Sequence, residues 1–363
     1  MNSIHSQIRH ITLNNQTYTI GKFREFVWKQ IQNFPEWEQA IYDFIFTFLD
    51  DSDHIIQQSS GTTGEPKTFK LSKAGMIQSA EDTINYFNLK TGNKALLCLP
   101  VDYIAGKMMI VRALIAGLNL LYEVPSSNPD LSRYQKIHFS AMVPIQVEDA
   151  LKQPAFENID KLIIGGSKVS NALASRLNQS NTQCFETYGM AETYSHVAVR
   201  KINGTSHESH FEALPGISFE TDERGCLVIH TRRLKKQLIT NDLVELTGTT
   251  KFKLLGRYDD LINTGGIKIN PKVLENKISS LIDYNFALIG LPDSTFGEVV
   301  SLVIETDQPV DKKKLQCKLS ENLSKFQIPK QIITIRNIPR NASFKIDRKK
   351  LRAVIQNKGI DSF

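Results

Sequence analysis

The chain has 363 residues, 41% of them hydrophobic and 23% charged, with a net charge of +6. That length predicts two or three domains, and the composition is that of an ordinary soluble globular protein. No apolar run approaches the roughly 20 residues of a membrane span. The first residues, Met1 to Ser6, lack a basic segment followed by an apolar core, so the expected location is the cytoplasm. The four cysteines are scattered without a C-x-x-C pair and read as reduced thiols. The charge is a modest bias toward anionic ligands such as nucleotides. It lacks the clustered basic and aromatic residues of a nucleic-acid binder, so none is expected as a partner.

In chain order, residues 11–20 alternate as a hairpin turning at Asn14-Asn15. Pro35 opens a helix, where its missing N–H costs little. Trp37, Ile41, Phe44, Ile45 and Phe48 fall on one face of it and read as core. Ile55-Ile56 ends a strand, and Ser59-Ser60-Gly61-Thr62-Thr63-Gly64-Glu65-Pro66-Lys67 follows. Gly61 and Gly64 allow a tight turn and close approach to a ligand. Successive main-chain N–H groups in such a turn form a concave anion site. The hydroxyls add rotatable donors and Lys67 a point charge, so the loop suits a polyphosphate. Its spacing is not that of the Walker loop. Composition alone also fits a flexible linker.

From there to Thr193, strands at 95–99, 138–143, 161–164 and 183–187 alternate with helical segments, one of them at 105–117. This predicts a parallel sheet, whose ligands sit beyond the carboxyl ends of the strands. Gly165-Gly166-Ser167 and Tyr188-Gly189 occupy two such ends. In Thr187-Tyr188-Gly189-Met190-Ala191-Glu192-Thr193, Tyr188 offers a flat face for a purine. Gly189 permits close approach, and Glu192 could hold a Mg²⁺ that bridges phosphates. An ordinary turn with a solvated glutamate reads the same. Residues 205–258 break into short strands, an antiparallel or barrel-like subdomain. A basic α+β tail follows, with a helix from Pro271 to Leu281, strands at 286–291 and 299–305, and an amphipathic stretch at 311–325. His207-Glu208-Ser209-His210 reads as a polar loop, since two histidines without further ligands are a weak metal signal.

The string at 59–67 resembles the phosphate loop of the acyl-adenylate-forming superfamily, which includes acyl-CoA ligases, peptide-synthetase adenylation domains and luciferases. Four more stretches resemble its later motifs, in order. Residues 188–192 resemble Y-G-x-T-E, with Ala191 in place of Thr. Thr240-Asn241-Asp242 resembles T-G-D, with Asn241 in place of Gly. Gly256 to Lys268 resembles G-R-x-D-D/Q…G-G-x-K. Pro339 to Arg348 resembles P-R-x-x-x-G-K-I-x-R, with Phe344 before the lysine. Taken as a bare sequence, Lys345 would be a solvated charge.

The resemblance implies an α/β fold. A large N-terminal domain, residues 1–258, would carry parallel sheets and the barrel-like subdomain. A small mobile α+β domain, residues 259–363, would carry the catalytic lysine. The 58 residues before the loop imply a trimmed N-terminal subdomain. The implied cofactors are ATP, Mg²⁺ and coenzyme A, and the implied reaction joins a small carboxylic acid to a thiol through an acyl-adenylate. Residues 59–67 would bind the β- and γ-phosphates, and Glu192 the metal. Asp242 and Arg257 would bind the ribose, and Lys345 would bridge the attacking carboxylate and the α-phosphate. Asp259 would be a hinge. Gly265, Gly266 and Lys268 belong to the loop that would line the pantetheine path once the hinge turns.

For the acid, Tyr103 replaces a histidine usual at the gate of the acyl pocket, and Lys107 adds a cation suited to a dicarboxylate, unless it lies on the outer helix face. The length, Lys107 and the Tyr-Gly-Met-x-Glu-Thr wording resemble the branch that activates o-succinylbenzoate for menaquinone synthesis. The alternatives are another aryl- or fatty-acyl-CoA ligase, a carrier-protein loader, or an adenylate-binding protein without catalysis.

Overall fold

The computed structural model describes residues 8–58, 68–204, 209–340 and 346–358. Contacts group the chain into two compact units. Unit 1 is Met1–Ser218 with His230–Gln237, and unit 2 is Phe219–Ile229 with Leu238–Phe363.

Unit 1 opens with β1 (His10–Leu13) and β2 (Gln16–Thr19), the expected hairpin, in which Leu13 pairs with Gln16. Asn14 and Asn15 take φ of 44° and 67°, as a two-residue turn matched to strand twist requires. Helix α1 (Ile20–Gln30) is capped by Thr19, and α2 (Glu36–Phe48) starts after Pro35 and buries Ile41, Phe44, Ile45 and Phe48. β3 (His54–Gln58) pairs antiparallel with β4 (Thr68–Ser72), closing on Gln58 and Thr68. These two strands form a sheet of their own, apart from the parallel sheet.

Next come α3 (Lys73–Phe87), β5 (Lys94–Leu97), α4 (Ile104–Ala116), β6 (Asn119–Tyr122), β7 (Phe139–Met142), α5 (Pro144–Ala150), β8 (Lys161–Ile164), α6 (Asn171–Leu177), β9 (Gln183–Gly189), β10 (His196–Lys201) and β11 (Phe211–Ala213). Gly117 ends α4 in the left-handed region, the cap that needs no Cβ. The strand order of the main sheet in this unit is β11-β10-β9-β8-β7-β5-β6-β1-β2. Pairing is parallel from β1 through β6, β5, β7 and β8 to β9, and antiparallel for β9–β10 and β10–β11. Both faces of the central strands are covered, so β7 and β8 are almost wholly buried. Leu96, Met142, Phe156, Ile164, Leu173 and Leu177 belong to one core on this sheet.

β12 (Ile217–Thr221) and β13 (Cys226–Thr231), whose Phe219–Ile229 portion belongs to unit 2, and β14 (Leu238–Leu246) and β15 (Lys251–Arg257) are neighbours in that order, with β13–β14 and β14–β15 antiparallel. The short β16 (Ile262–Thr264) and β17 (Ile267–Ile269) turn at Gly265-Gly266, where φ is 57° and 83°. Then follow α7 (Pro271–Ile278), β18 (Asn285–Asp293), β19 (Gly297–Glu305), α8 (Lys312–Asn322), β20 (Gln331–Ile335) and α9 (Arg348–Lys358). β18 and β19 pair antiparallel along their full length, and β20 joins β19 in parallel. Alternation decides the packing here. Leu288 and Leu302 face a core with Leu274 and Leu319, while Ile289 and Val303 face another with Leu351 and Ile355. No helix among the described residues is long and apolar enough to cross a membrane.

Candidate active site

The residues expected to hold polyphosphate, Ser59, Ser60, Gly61, Thr62, Thr63, Gly64 and Lys67, lie outside the described residues. The strand before them, β3, ends at Gln58. Gln57 on β3 is buried. Its Nε2 donates to the Asp102 carbonyl at 3.0 Å, and its Oε1 accepts from Lys107 Nζ at 2.7 Å. The Lys107 ammonium also lies 3.5 Å from the Asp102 carbonyl and 6.0 Å from the Phe44 ring centre. Lys107 therefore points into unit 1, not out from the helix. Burial lowers its pKa, against a smaller raising effect of Asp102. Tyr103, at the N-cap of α4, is 50% exposed.

Of the expected nucleotide residues, Gly165, Gly166, Ser167, Thr187, Tyr188 and Gly189 lie at the carboxyl ends of β8 and β9, which parallel pairing places side by side. Gly165 would bring a Cβ to 2.7 Å from Thr187 Oγ1, so the loop after β8 packs directly on β9. Gly166 has φ of 81°. The Thr187 hydroxyl donates to the Ile164 carbonyl at 3.2 Å. Glu186, buried beneath, accepts the Val169 N–H at 3.0 Å and pairs with Arg200. Thus one carboxylate ties the loop containing Ser167 to β9. Arg200 lies over Phe211, whose ring is 5.9 Å from that of Tyr188. A Cβ on Gly189 would sit 2.4 Å from the Ser195 carbonyl and the His196 Cα. The glycine is needed there for the approach of β10, whatever a ligand also requires.

Glu192 stands in a 3₁₀ turn, Ala191–Thr193. The Thr193 hydroxyl closes that turn by accepting the Met190 N–H at 3.1 Å and lying 3.0 and 2.7 Å from the Met190 and Ser195 carbonyls. The Glu192 carboxylate is exposed. No cluster of three metal-binding side chains occurs among the described residues. A single carboxylate fits Mg²⁺, which completes its shell with phosphate oxygens and water.

Behind this turn lies a group of buried charges. Arg112 of α4 is 1% exposed and has no carboxylate partner among the described residues. Its Nη2 donates to Ser195 Oγ at 2.7 Å and is 3.5 Å from His196 Nδ1, while its Nε is buried without a partner. Burial, and then the charge of Arg233, push its pKa down to about 9. Arg233 is better served. Its Nε donates to Asp82 at 2.9 Å and its Nη1 to the Thr193 and His196 carbonyls. His196 is held neutral by burial, then by Arg112 and Arg233. Buried unpaired cations are costly, and the partners of the Arg112 guanidinium among the described residues are neutral: Ser195, His196 and the Met109 sulfur. Its sequence signal was a lone arginine within Met-Met-Ile-Val-Arg-Ala-Leu-Ile-Ala, and sequence reasoning passed over it.

In unit 2, Asp242 on β14 pairs opposite Arg257 on β15, and their side chains meet at 3.3 Å. Arg257 also reaches Asp259 at 3.2 Å. Asn241, standing where the motif has glycine, donates to Asp259 at 3.2 Å. Lys268 Nζ donates to the Tyr258 hydroxyl at 3.0 Å and lies over its ring. Phe296 and Phe326 flank Gly265, where a Cβ would lie 3.2 and 3.7 Å from their rings. Both rings are more than a third exposed, and with Lys325 and Lys330 they line a small hollow. Sequence reasoning did not single out these aromatics.

Lys345 lies outside the described residues. Among the described residues that flank it, Arg340 pairs with Ile346 in a β-bridge and the Asp347 N–H donates to the Pro339 carbonyl at 2.9 Å. Arg348 then grips Glu275 at 2.6 and 2.7 Å.

The AMP-binding enzyme family matches residues 45–217. An acyl-CoA synthetase (AMP-forming)/AMP-acid ligase II-like protein from Dyadobacter fermentans is 32% identical, with 88% of this chain and 96% of that one covered and a TM-score of 0.61. The chain belongs to the AMP-binding enzyme family. It is 26% identical over 323 residues to a 2-succinylbenzoate–CoA ligase of Listeria monocytogenes, covering 82% of this chain and 69% of the relative. The o-succinylbenzoate coenzyme A synthetase of Bacillus subtilis, in complex with ATP and magnesium, has the same fold. Its TM-score is 0.68 at 21% identity, with 82% of this chain and 67% of that one covered. The mixed α/β architecture expected from the sequence is thus that of this family.

Proposed function

We propose that this AMP-binding enzyme is an AMP-forming acid–CoA ligase of the cytoplasm and that its acid is o-succinylbenzoate. In the first step a carboxylate oxygen attacks the α-phosphorus of ATP, the bond to the bridging oxygen breaks, and pyrophosphate leaves with that electron pair. In the second step the CoA thiolate attacks the acyl carbon and AMP leaves. Catalysis at phosphorus is largely positioning and charge stabilisation. Residues 59–67 bind the β- and γ-phosphates, and the loop after β8 with Tyr188 binds the base. Asp242 and Arg257 serve the ribose. A bound Mg²⁺ would neutralise phosphate charge, with Glu192 as its protein ligand. Lys345 serves adenylation. For thioester formation a turn about Asp259 exchanges it for the Gly265-Gly266 loop, where Phe296, Phe326 and Lys330 suit the arm and phosphates of CoA.

The observation that carries the substrate assignment is Arg112. A guanidinium buried without a carboxylate among the described residues suits an acid that brings a second one, and o-succinylbenzoate keeps a carboxylate that does not react. Lys107, the cation expected in this role, already serves Gln57 and the Asp102 carbonyl, so its part is to hold the strand ahead of the phosphate loop. The relatives that act on 2-succinylbenzoate support the same acid. The test is pyrophosphate release with ATP, Mg²⁺ and o-succinylbenzoate, followed by thioester formation on adding CoA. A fatty or simple aryl acid turned over in preference to o-succinylbenzoate would overturn the substrate assignment.

A further inference from the structure

Tyr194 takes φ of 65° directly after the turn that carries Glu192. A non-glycine residue in that region is strained and is kept only where its surroundings impose it. The surroundings here are specific. The ring is buried and lies across Gly75, in the first turn of α3. A Cβ on Gly75 would fall 2.2 Å from Tyr194 Cζ and 2.6 Å from its hydroxyl oxygen. The hydroxyl meets the backbone of Ser72, the last residue of β4, and Ser72 in turn caps α3 by accepting the Gly75 N–H. Within unit 1 the ring therefore joins two segments more than a hundred residues apart in sequence. One is the Ala191–Thr193 turn, and the other is the junction where β4 passes into α3.

We propose that Tyr194 is a positioning residue and Gly75 its seat. Together they fix the Glu192 carboxylate relative to the β4–α3 junction, and so set the place of a metal ion that must also reach phosphate oxygens. The proposal rests on the reading of Glu192 as the Mg²⁺ ligand. The strained backbone at Tyr194 accompanies a sharp turn in which Glu192 is exposed while Thr193 and Tyr194 are buried. The hydroxyl is secondary, because the steric fit is made by the ring.

The test is a double-mutant cycle on the full chain, using Gly75→Ala, Tyr194→Ala and both together, with Tyr194→Phe as the conservative control. Three quantities are read: melting temperature, ATP affinity by calorimetry with Mg²⁺ and with EDTA, and thioester formation from presynthesised acyl-adenylate and CoA. Disturbing what orients a metal ligand costs about tenfold or more in metal affinity. Gly75→Ala and Tyr194→Ala should therefore each weaken Mg²⁺-dependent ATP binding by about that factor. ATP affinity in EDTA and the thioester step should stay within about twofold, the scatter of uncoupled sites. Tyr194→Phe should match wild type in all three. Gly75→Ala should lower the melting temperature of wild type but not of Tyr194→Ala, where the methyl fits and alanine is the better helix former.

If Gly75→Ala has the same effect in both backgrounds, Gly75 is not the seat of Tyr194, and this pair decides the matter even should Tyr194→Ala bind no nucleotide. If Tyr194→Ala and wild type gain equally from Mg²⁺, the positioning role is wrong while the ligase assignment stands. Wild type that gains nothing from Mg²⁺ would overturn the Glu192 assignment itself.

Discussion

Replacing Arg112 by methionine separates what the fold needs from what the substrate needs. Arg112 is fully buried, its Nε has no partner, and the nearby charge is the like charge of Arg233. Its folded pKa, pushed down to about 9, lies below the ordinary guanidinium value. Between those two values the unfolded chain binds the extra proton, so stability rises with pH there. Below about pH 9 the burden of the buried cation is present in full. Methionine is unbranched and adaptable in a core. The Ser195 hydroxyl that Arg112 served still has His196 Nδ1 at 3.2 Å. Exchanging a buried charge for an apolar side chain of similar volume is often neutral or stabilising by roughly 1–4 kcal/mol. For a domain of this size that is about 2–4 °C in melting temperature per kcal/mol.

The substrate-free Arg112→Met protein should thus melt at the same temperature as wild type or several degrees higher, equally at pH 6 and pH 8. Its kcat/KM for o-succinylbenzoate should fall by about one to two decades, the value of a charge-assisted contact of roughly 1.5–3 kcal/mol. With a monocarboxylate analogue it should change little. Differential scanning calorimetry and a continuous pyrophosphate assay check both halves. A destabilised variant that loses both acids alike would refute the reasoning, because Arg112 would then be a structural cation.

Lys67→Ala should weaken ATP binding in a calorimetric titration while leaving the melting temperature unchanged. Lys345→Ala should slow adenylation by about 10²–10³, the cost of one preorganised donor at a transition state, yet leave thioester formation from presynthesised acyl-adenylate near normal in stopped flow. Lys107→Ala should raise KM for ATP more than KM for the acid, because its ammonium holds Gln57, one residue short of the end of β3. A rise confined to the acid would return Lys107 to the acyl pocket.

Local pattern explains what could be read from the sequence. The Asn14-Asn15 hairpin, the apolar stripe of α2, the Gly117 stop and the β18–β19 pair each follow from residues within one or two turns of chain. The Ser59–Lys67 string, the Tyr188–Glu192 segment and the Gly256–Lys268 stretch are contiguous too, and their order along the chain was enough to suggest the family. What stayed hidden depends on contacts between distant segments. Nothing near Ile55 shows that β3 leaves the parallel sheet to pair with β4. Glycine at 75 looks like a weak point in a helix until Tyr194 is found lying over it. Arg112 sits in an apolar run that reads as core, and its meaning depends on Ser195 and His196, more than eighty residues away. Lys107 stands out by its charge, but its partner Gln57 is fifty residues upstream.

The central claim is that this chain activates an acid bearing two carboxylates. Its most direct test is a panel of acids at equal concentration with ATP, Mg²⁺ and CoA, with pyrophosphate and thioester measured for each. The panel should include o-succinylbenzoate, its analogue lacking the second carboxylate, benzoate and a medium-chain fatty acid. The account predicts stoichiometric pyrophosphate and CoA thioester with o-succinylbenzoate, and about one to two decades lower kcat/KM for the analogue missing the second charge. Equal turnover of the two, or preference for the fatty acid, would contradict it.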